Sequence, residues 1–156
     1  MSAIHPTPLN EAEAAQSILR GDLSYRQLCG ITPEEMESAY ASAYTLYQAG
    51  KYADAERIFQ FLALFDSHEP KYWLGLGGCR EALKNLAGAA EAYLIPLVVD
   101  TPEPQAALRA AICCEAVGRT EDAVEALKTA VAWASADPGS AILKAQAESM
   151  LARLAP

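Results

Sequence analysis

The chain has 156 residues, 52% of them hydrophobic, and its 20 acidic and 12 basic residues give a net charge of −8 at pH 7. This length suffices for one domain with a substantial core. The basic residues are too few and too scattered to follow a phosphate backbone, which argues against a nucleic-acid partner, and no apolar run approaches the ~20 residues of a membrane-spanning helix, which argues against direct membrane insertion.

The residue types favour an all-α protein without a metal ion or cofactor. Alanine dominates the apolar residues, whereas the β-branched residues that favour strands are sparse. The four cysteines form no C-x-x-C pair and only two histidines accompany them, so the sequence has no zinc-binding spacing. We expect reduced, mostly buried thiols in a cytosolic protein, and the N-terminus lacks the basic start and apolar middle of a signal peptide.

An N-terminal arm comes first. Residues 10–20 are predicted to form a short amphipathic helix that ends at Gly21, and residues 23–29 a second short turn of helix. The apolar side of the first helix consists of Ala14, Ile18 and Leu19. Because short helices are rarely stable alone, the arm is expected to pack either on the following helices or on a second copy of the chain, where this apolar side would form the dimer contact.

Seven longer helices are predicted after the arm. Thr32 is expected to cap the first of them, with Pro33 in its first turn and Glu35 completing a capping box. The predicted helices cover residues 34–48, 52–65, 71–83, 87–99, 105–117, 121–134 and 139–154. Pro96 lies inside the fourth, which it is expected to kink or shorten because proline cannot donate a helical backbone hydrogen bond.

When three successive 34-residue segments of the sequence are aligned, five positions keep similar residues in the three copies. We call the three aligned residues at each such position a column. Small residues recur in two columns, bulky ones in a third, turn residues in a fourth and prolines in a fifth. In that order the columns are Ala43, Gly77 and Ala111; Ala55, Ala89 and Ala123; Phe59, Tyr93 and Leu127; Gly50, Lys84 and Gly118; and Pro70, Pro104 and Pro138. Small residues suit close helix crossings, and proline ends one repeat and starts the next. The period therefore predicts a stack of helical repeats, for which three copies are about the minimum.

This pattern resembles the tetratricopeptide repeat, a unit of two antiparallel helices. The second copy carries the family pattern most fully, with Trp73, Leu76-Gly77, Ala89, Tyr93 and Pro104. The resemblance implies three such repeats that form a concave superhelix, with a cap on the open end. The expected domains are an arm (1–31), the repeats (32–137, divided at about 36–69, 70–103 and 104–137) and a C-terminal capping helix (138–156).

One face of the first helix in each repeat is a candidate peptide-binding groove. Its residues lie at i, i+4 and i+7 of their helices, away from the small-residue columns. They are Tyr40, Tyr44 and Tyr47, then Leu74, Gly78 and Glu81, then Leu108, Ile112 and Glu115. Tyrosine offers a large contact area with a polar tip, which suits peptide recognition, although apolar helical stripes are also common in cores. Tyr52 and Phe65 on the second helix are candidates for a further part of the wall.

The groove columns predict a surface that is apolar and aromatic at one end and acidic along one edge. Some tetratricopeptide co-chaperones clamp the terminal carboxylate of a peptide with Lys, Arg and Asn in these columns. Here Lys71 and Arg109 are isolated in the sequence, so a carboxylate clamp is not expected.

A closer resemblance, over about residues 14–154, is to the class II chaperones of bacterial type III secretion. The motifs that carry it are "ILRGDLSYRQLCGIT" at 18–32, "YQAGKYADA" at 47–55, Phe59-Leu62-Asp66, and "YWLGLGGCR" at 72–80. It implies a chaperone of the bacterial cytoplasm that binds an extended N-terminal segment of hydrophobic translocator proteins in its groove. Such a chaperone keeps one or two translocators soluble and unassembled before export, and it forms a homodimer through the arm.

Two alternative functions are considered from the sequence, a general scaffold or adaptor and an enzyme. A general tetratricopeptide scaffold, or an assembly or regulatory adaptor, would share the fold and the groove but bind a different peptide. Catalysis is disfavoured, because Cys79 and Cys113 lie on a packed helix face and His68, the candidate base, is in a loop. No enzymatic activity is therefore predicted.

Overall fold

The computed structural model describes residues 10–20 and 24–155, and within those ranges the regular structure is helical. The arm contains α1 (Glu11–Leu19) and α2 (Tyr25–Leu28). Three helix pairs follow: α3 (Pro33–Gln48) with α4 (Tyr52–Phe65), α5 (Pro70–Ala82) with α6 (Leu86–Val98), and α7 (Pro104–Ala116) with α8 (Thr120–Ser135). A 3-10 turn at Pro138–Ser140 leads into the last helix, α9 (Ala141–Leu154).

The predicted all-α fold of three helical repeats is confirmed. Every long helix begins and ends within two residues of its predicted limits. Each packs mainly on the helices before and after it, and the first helices α3, α5 and α7 also contact one another in that order, with α7 in turn contacting the capping helix α9. The first helices therefore line one side of the stack, as in a tetratricopeptide superhelix.

The small-residue columns bring the helices close together. Ala43, Ala111, Ala55, Ala89 and Ala123 are completely buried. At Gly77 even a methyl group would not fit, because a Cβ there would lie 2.4 Å from the ring of Tyr93 on α6. The bulky column fills the remaining space, with Phe59, Tyr93 and Leu127 buried in the core.

The three turns inside the repeats share one backbone conformation. Gly50, Lys84 and Gly118 all have positive φ, at 76°, 64° and 79°. In each turn this residue donates its N–H to the carbonyl three residues before it, and the next residue donates to the carbonyl five before it. Lys84, the exception in the turn column of the sequence, thus occupies a left-handed position that favours glycine.

Replacing Lys84 by glycine is expected to raise the free energy of unfolding by roughly 0.5–1 kcal/mol, because relief of the left-handed strain outweighs the larger entropy that glycine gives the unfolded chain. Urea denaturation followed by circular dichroism measures the change. Lys84→Ala is the matched control, since it removes the same exposed side chain but keeps the Cβ. Equal stability of the two variants would show that the backbone here is unstrained.

Pro96 lies in the last turn of α6, and the helix continues past it to Val98. The N–H of Val99 donates to the carbonyl of Ile95 at 3.0 Å, and the N–H of Thr101 donates to the carbonyl of Pro96 at 2.9 Å. α6 has 13 residues, fewer than the 14 of α4 and the 16 of α8. A position so near the end limits the disruption that the proline causes.

The capping box at the start of α3 is present as predicted. The N–H of Glu35 donates to Thr32 Oγ1 at 3.1 Å, and the N–H of Thr32 donates to Glu35 Oε2 at 2.8 Å. Just before it, α2 packs on α4, with the rings of Tyr25 and Phe65 5.2 Å apart, so this part of the arm contacts the first repeat.

The rest of the arm prediction falls on residues that are not described. Gly21 and the side chains of Ala14, Ile18 and Leu19 lie outside the described part of the molecule. The dimer contact through these side chains therefore stays a prediction.

Candidate functional site

A cavity of about 300 Å³ opens on the side of the stack formed by the first helices α3, α5 and α7. It brings together the six candidate groove residues of the first two repeats with five others. The lining residues are Tyr40, Tyr44, Tyr47, Phe59, Leu74, Gly75, Gly78, Glu81, Tyr93, Gln105 and Arg109. We refer to it as the tyrosine cavity.

The tyrosines of α3 differ in how freely they face this cavity. Tyr44 is 49% exposed, so much of its ring is available for contact. Tyr40 is half-buried, and its ring centroid lies 5.9 Å from that of Phe59, 6.0 Å from that of Tyr72 and 6.4 Å from that of Tyr44. Tyr40 is therefore both part of the cavity wall and part of the core packing.

The two candidate residues on α4 lie behind or away from the cavity wall. The ring of Tyr52 packs edge-on against Tyr47, with centroids 5.2 Å apart, and so supports a lining residue from behind. Phe65 packs instead against Phe61 at 4.3 Å and against Tyr25 of the arm. Neither is among the residues that line the tyrosine cavity.

Two glycines of α5 line the tyrosine cavity. A Cβ at Gly78 would be in ordinary van der Waals contact with the side chain of Tyr47, at 3.5 Å, so a methyl group would fit there without a clash. A Cβ at Gly75 would lie 2.3 Å from the ring of Phe59, so Gly75 lets that ring approach the helix. The aromatic residues thus form the wall, and the bare backbone of α5 forms part of the floor.

An ion pair that joins two repeats lies at the edge of the tyrosine cavity. Arg109 Nη2 on α7 donates a hydrogen bond to Glu81 Oε2 on α5, and Cys113 Sγ donates to Glu81 Oε1 at 2.9 Å. Burial raises the pKa of the Cys113 thiol, which therefore keeps its proton at neutral pH. Glu81 is thus held in place by two partners, and its charge is compensated.

The cations that the sequence shows as isolated are both paired. Arg109 binds Glu81, and Lys71 Nζ donates to Glu37 Oε1 at 2.6 Å while it lies 4.6 Å from the ring centroid of Tyr40. The hydrogen bond to Glu37 raises the pKa of the Lys71 ammonium group. Both cations are thus paired with carboxylates on other helices, a pairing that the sequence did not predict.

The acidic edge is also weaker than expected. Glu115 accepts hydrogen bonds from Arg153 Nη1 at 2.6 Å and Arg153 Nη2 at 3.0 Å. These bonds lower the pKa of the Glu115 carboxyl group. Glu115 lines neither the tyrosine cavity nor the larger cavity described next, and its contact holds the capping helix α9 against α7.

Two of the three candidate groove residues of the third repeat, Leu108 and Ile112, line a second, larger cavity of about 740 Å³. Leu108 is buried and Ile112 is half-buried at its floor, and Trp133, Ile142 and Leu143 add apolar surface from α8 and α9. We refer to it as the Trp133 cavity. Gln105 and Arg109 line both cavities, so the two adjoin.

Sequence reasoning missed the residues that connect the two cavities. Gln105 and Arg109 lie outside the three groove columns, and Trp133 and Ile142 belong to a second helix and to the capping helix. The sequence held one signal that could have identified Arg109 as a site residue: it directly follows Leu108, which belongs to a groove column.

The described residues contain no obvious reactive centre. Within ranges 10–20 and 24–155, no group of three or more potential metal ligands occurs, and none of the helices there is long and apolar enough to cross a bilayer. Burial raises the pKa of Cys79 to about 11, and Cys79 and Cys113 are both buried. Neither thiol therefore readily loses its proton to form the nucleophilic thiolate.

The sequence matches known proteins along most of its length. Residues 40–95 match the tetratricopeptide repeat family. A protein of Yersinia pseudotuberculosis named "Low calcium response locus protein H" is 32% identical over 138 residues, which cover 88% of this chain and 82% of that protein.

Two solved structures have the same fold. A type III secretion system complex from Aeromonas hydrophila gives a TM-score of 0.79 at 32% identity, covering 90% of this chain and 94% of that chain. The Yersinia enterocolitica type III secretion chaperone SycD, in complex with a peptide of the translocator YopD, gives a TM-score of 0.70 at 32% identity, covering 80% of this chain and 95% of that chain.

Proposed function

Because this chain belongs to the class II tetratricopeptide-repeat chaperones of type III secretion translocators, we propose that it binds an extended N-terminal segment of a hydrophobic translocator in the groove that begins at the tyrosine cavity. The observation that carries this proposal is the convergence of exposed Tyr44 with Tyr47, Leu74 and Gly78 from two repeats on one open cavity.

The cavity suits an apolar side chain of an extended segment. Its wall is aromatic, and part of its floor is the bare backbone of α5 at Gly78, which lets another chain approach closely. Proline anchors lose little conformational entropy on binding, so a segment that contains them binds well in a preformed groove. Tyrosine hydroxyl groups and the amide of Gln105 are available to bond the backbone of the segment.

Such binding protects the translocator before export. A protein destined for a membrane has apolar segments that aggregate in water, and covering part of the chain lowers that hazard. We place this activity in the bacterial cytoplasm, where the translocator is made. The arm is proposed to join two copies of the chaperone, with Ala14, Ile18 and Leu19 at the contact.

Co-expression tests the chaperone function directly. A translocator produced alone is expected to be found in the insoluble fraction, and co-expression with this chain is expected to move most of it to the soluble fraction. Tyr44→Glu is expected to abolish that effect, because it places a charge against the apolar anchor. Val98→Glu is the matched control, since Val98 is 78% exposed on α6 and lines neither cavity.

A translocator that stays insoluble beside a well-expressed, folded chaperone would contradict the proposal and favour a general scaffold. If the Tyr44→Glu variant still solubilises the translocator, the chaperone function stands, but the translocator binds outside the tyrosine cavity.

A further inference from the structure

A row of ion pairs runs along the side of the stack that carries the groove. One pair joins α3 to α5, a second joins α5 to α7, and a third joins α7 to α9, so each boundary between consecutive repeats, and that between the third repeat and the capping helix, is crossed once. The pairs are Glu37 with Lys71, Glu81 with Arg109, and Glu115 with Arg153. We refer to them as the inner ion pairs.

The opposite side of the stack, formed by the second helices, has no such connection. In the part of the chain that the structure describes, no ion pair joins one second helix to another. Instead, a cavity of about 300 Å³ opens between α4, α5 and α6, and its lining includes Leu64, Trp73 and Ile95. Leu64 is 65% exposed there. We refer to this space as the outer cavity.

Arg80 supplies a point about which the first two repeats can turn. It lies on α5 and lines the outer cavity, where its Nε donates to Glu56 Oε1 on α4 at 3.0 Å and its Nη1 donates to the carbonyl of Gly88 on α6 at 3.0 Å. The three helices are therefore tied at Arg80, while the apolar remainder of the cavity leaves α4 and α6 space to approach each other.

The inner ion pairs and the outer cavity act in opposite directions on the width of the groove. Repeats of a solenoid contact only their neighbours, so a small rotation between two repeats changes the curvature of the whole stack. A rotation that closes the outer cavity covers apolar side chains and moves the first helices apart, which widens the groove. The inner ion pairs oppose that rotation, because they hold the first helices together.

The pair of Glu37 and Lys71 separates an effect on position from direct contact with a ligand. Neither residue lines the tyrosine cavity or the Trp133 cavity, yet the pair joins the two repeats whose first helices form the tyrosine cavity. Lys71 Nζ bonds both oxygens of Glu37, at 2.6 and 3.0 Å, and lies 4.6 Å from the ring centroid of Tyr40 in the cavity wall. A change at this pair therefore acts on the cavity through the positions of α3, α5 and Tyr40.

We propose that the inner ion pairs hold the first helices at the separation that binds a translocator segment, which makes Glu37 and Lys71 positioning residues. This inference rests on the proposed function, because the segment is the one bound at the tyrosine cavity. A chain whose groove is wider for part of the time binds less tightly in proportion to that fraction. Salt screens exposed ion pairs but does not weaken apolar contacts, so binding becomes salt-sensitive even where its contacts are apolar.

The test compares two double variants that leave the net charge unchanged. Glu37→Gln/Lys71→Met removes one inner ion pair. Glu125→Gln/Lys128→Met is the matched control, because that pair has the same charges and an N–O distance of 2.7 Å but lies within α8 and joins no helices. Calorimetric titration gives the affinity of each for the N-terminal region of a translocator that the parent chain solubilises.

At about 0.05 M sodium chloride, Glu37→Gln/Lys71→Met is expected to bind roughly threefold more weakly than the parent chain, since one exposed ion pair contributes only a small free energy. The control is expected to bind like the parent chain. Urea midpoints close to that of the control would show that the weaker binding does not come from loss of the fold. Lys71→Arg is expected to keep the parent affinity, because arginine retains the charge.

Raising sodium chloride to about 0.5 M is expected to weaken binding by the parent chain and by the control to the same extent. The effect on Glu37→Gln/Lys71→Met is expected to be smaller, because one of the pairs that salt screens is already absent. A merely structural role of the pair would not produce this difference in salt dependence.

The distance between two spin labels reports the separation of the first helices directly. Labels on cysteines introduced at Ser42 of α3 and Ala145 of α9, which are both exposed, span the three inner ion pairs. Cys29→Ser removes the exposed native cysteine, and the other three are buried. The mean distance is expected to increase at high salt, and in Glu37→Gln/Lys71→Met at low salt.

Equal affinities of the two double variants at both salt concentrations would overturn this inference. Weaker binding without a change in the label distance would overturn it too, because the pair would then contact the segment directly. If Tyr44→Ala still weakened binding in either case, the proposed function would stand. If Tyr44→Ala also had no effect, the proposed groove would be wrong as well.

Discussion

Replacing Gly77 by alanine is expected to lower the free energy of unfolding by about 2 kcal/mol, whereas the same change at Gly78 is expected to raise it by about 0.5–1 kcal/mol. The two glycines are adjacent in α5, and both lie inside a helix. The opposite signs follow from what each new methyl group would meet.

At Gly77 the methyl group has no space. A Cβ there would lie 2.4 Å from the ring of Tyr93, which is buried in the interface between α5 and α6 and has little room to move. Overpacking of this kind costs about 1–3 kcal/mol. Because the clash is severe, the cost of Gly77→Ala is expected at the upper end of this range. The better helix propensity of alanine, worth about 1 kcal/mol, offsets only part of that cost.

At Gly78 the methyl group meets an ordinary contact. The nearest atom, on the ring of Tyr47, would be 3.5 Å away, so the helix propensity of alanine is gained without a clash. The methyl group would also fill part of the tyrosine cavity, so Gly78→Ala is expected to be more stable but to bind the translocator segment less well.

Urea denaturation of the parent chain and both variants, followed by circular dichroism, measures these changes, and unchanged m-values confirm that the compared states are the same. Equal effects at Gly77 and Gly78 would contradict the close crossing of α5 and α6. Such a result would mean that Tyr93 repacks freely, as a loosely packed core allows.

The sequence was sufficient to predict the stack because its strongest signal is local and periodic. A small residue at Gly77 and a large one at Tyr93 recur at the same spacing in other repeats, and the structure shows the pair in contact. Helix limits followed from the prolines and turn residues. Even Lys84, which breaks the turn column, keeps the backbone conformation of Gly50 and Gly118, since the turn geometry is set by the helices it joins.

The site was less predictable because its charges pair across helices. Glu81 and Arg109, like Glu115 and Arg153, belong to different helices, so their distance along the chain follows no repeat period. The Trp133 cavity likewise needs α9 to close it, and α9 lies outside the repeated unit. Tertiary contacts of this kind leave no periodic trace in a single sequence.

Replacing Tyr44 by alanine is expected to weaken binding of the translocator segment by about 1–3 kcal/mol, a roughly tenfold to hundredfold loss, with little change in stability. Tyr44 is 49% exposed and its ring lies at the mouth of the tyrosine cavity, so its area is free to pack on a ligand. Calorimetric titration gives the affinity, and thermal unfolding serves as the control for the fold.

Tyr40→Ala is expected to lower the stability of the fold as well as the affinity for the segment. Its ring contacts Phe59 and Tyr72 and lies under the ammonium group of Lys71, so its removal deletes core contacts as well as cavity wall. Such aromatic pairs contribute about 0.5–1.5 kcal/mol each beyond burial, so a lower unfolding midpoint is expected together with weaker binding.

Tyr44→Phe separates the contribution of the aromatic ring to binding from that of the hydroxyl group. If ring area drives binding, the phenylalanine variant retains most of the affinity; if the hydroxyl group bonds the backbone of the segment, it loses about 0.5–1.5 kcal/mol. An alanine variant that binds as tightly as the parent chain would show that the segment avoids this cavity.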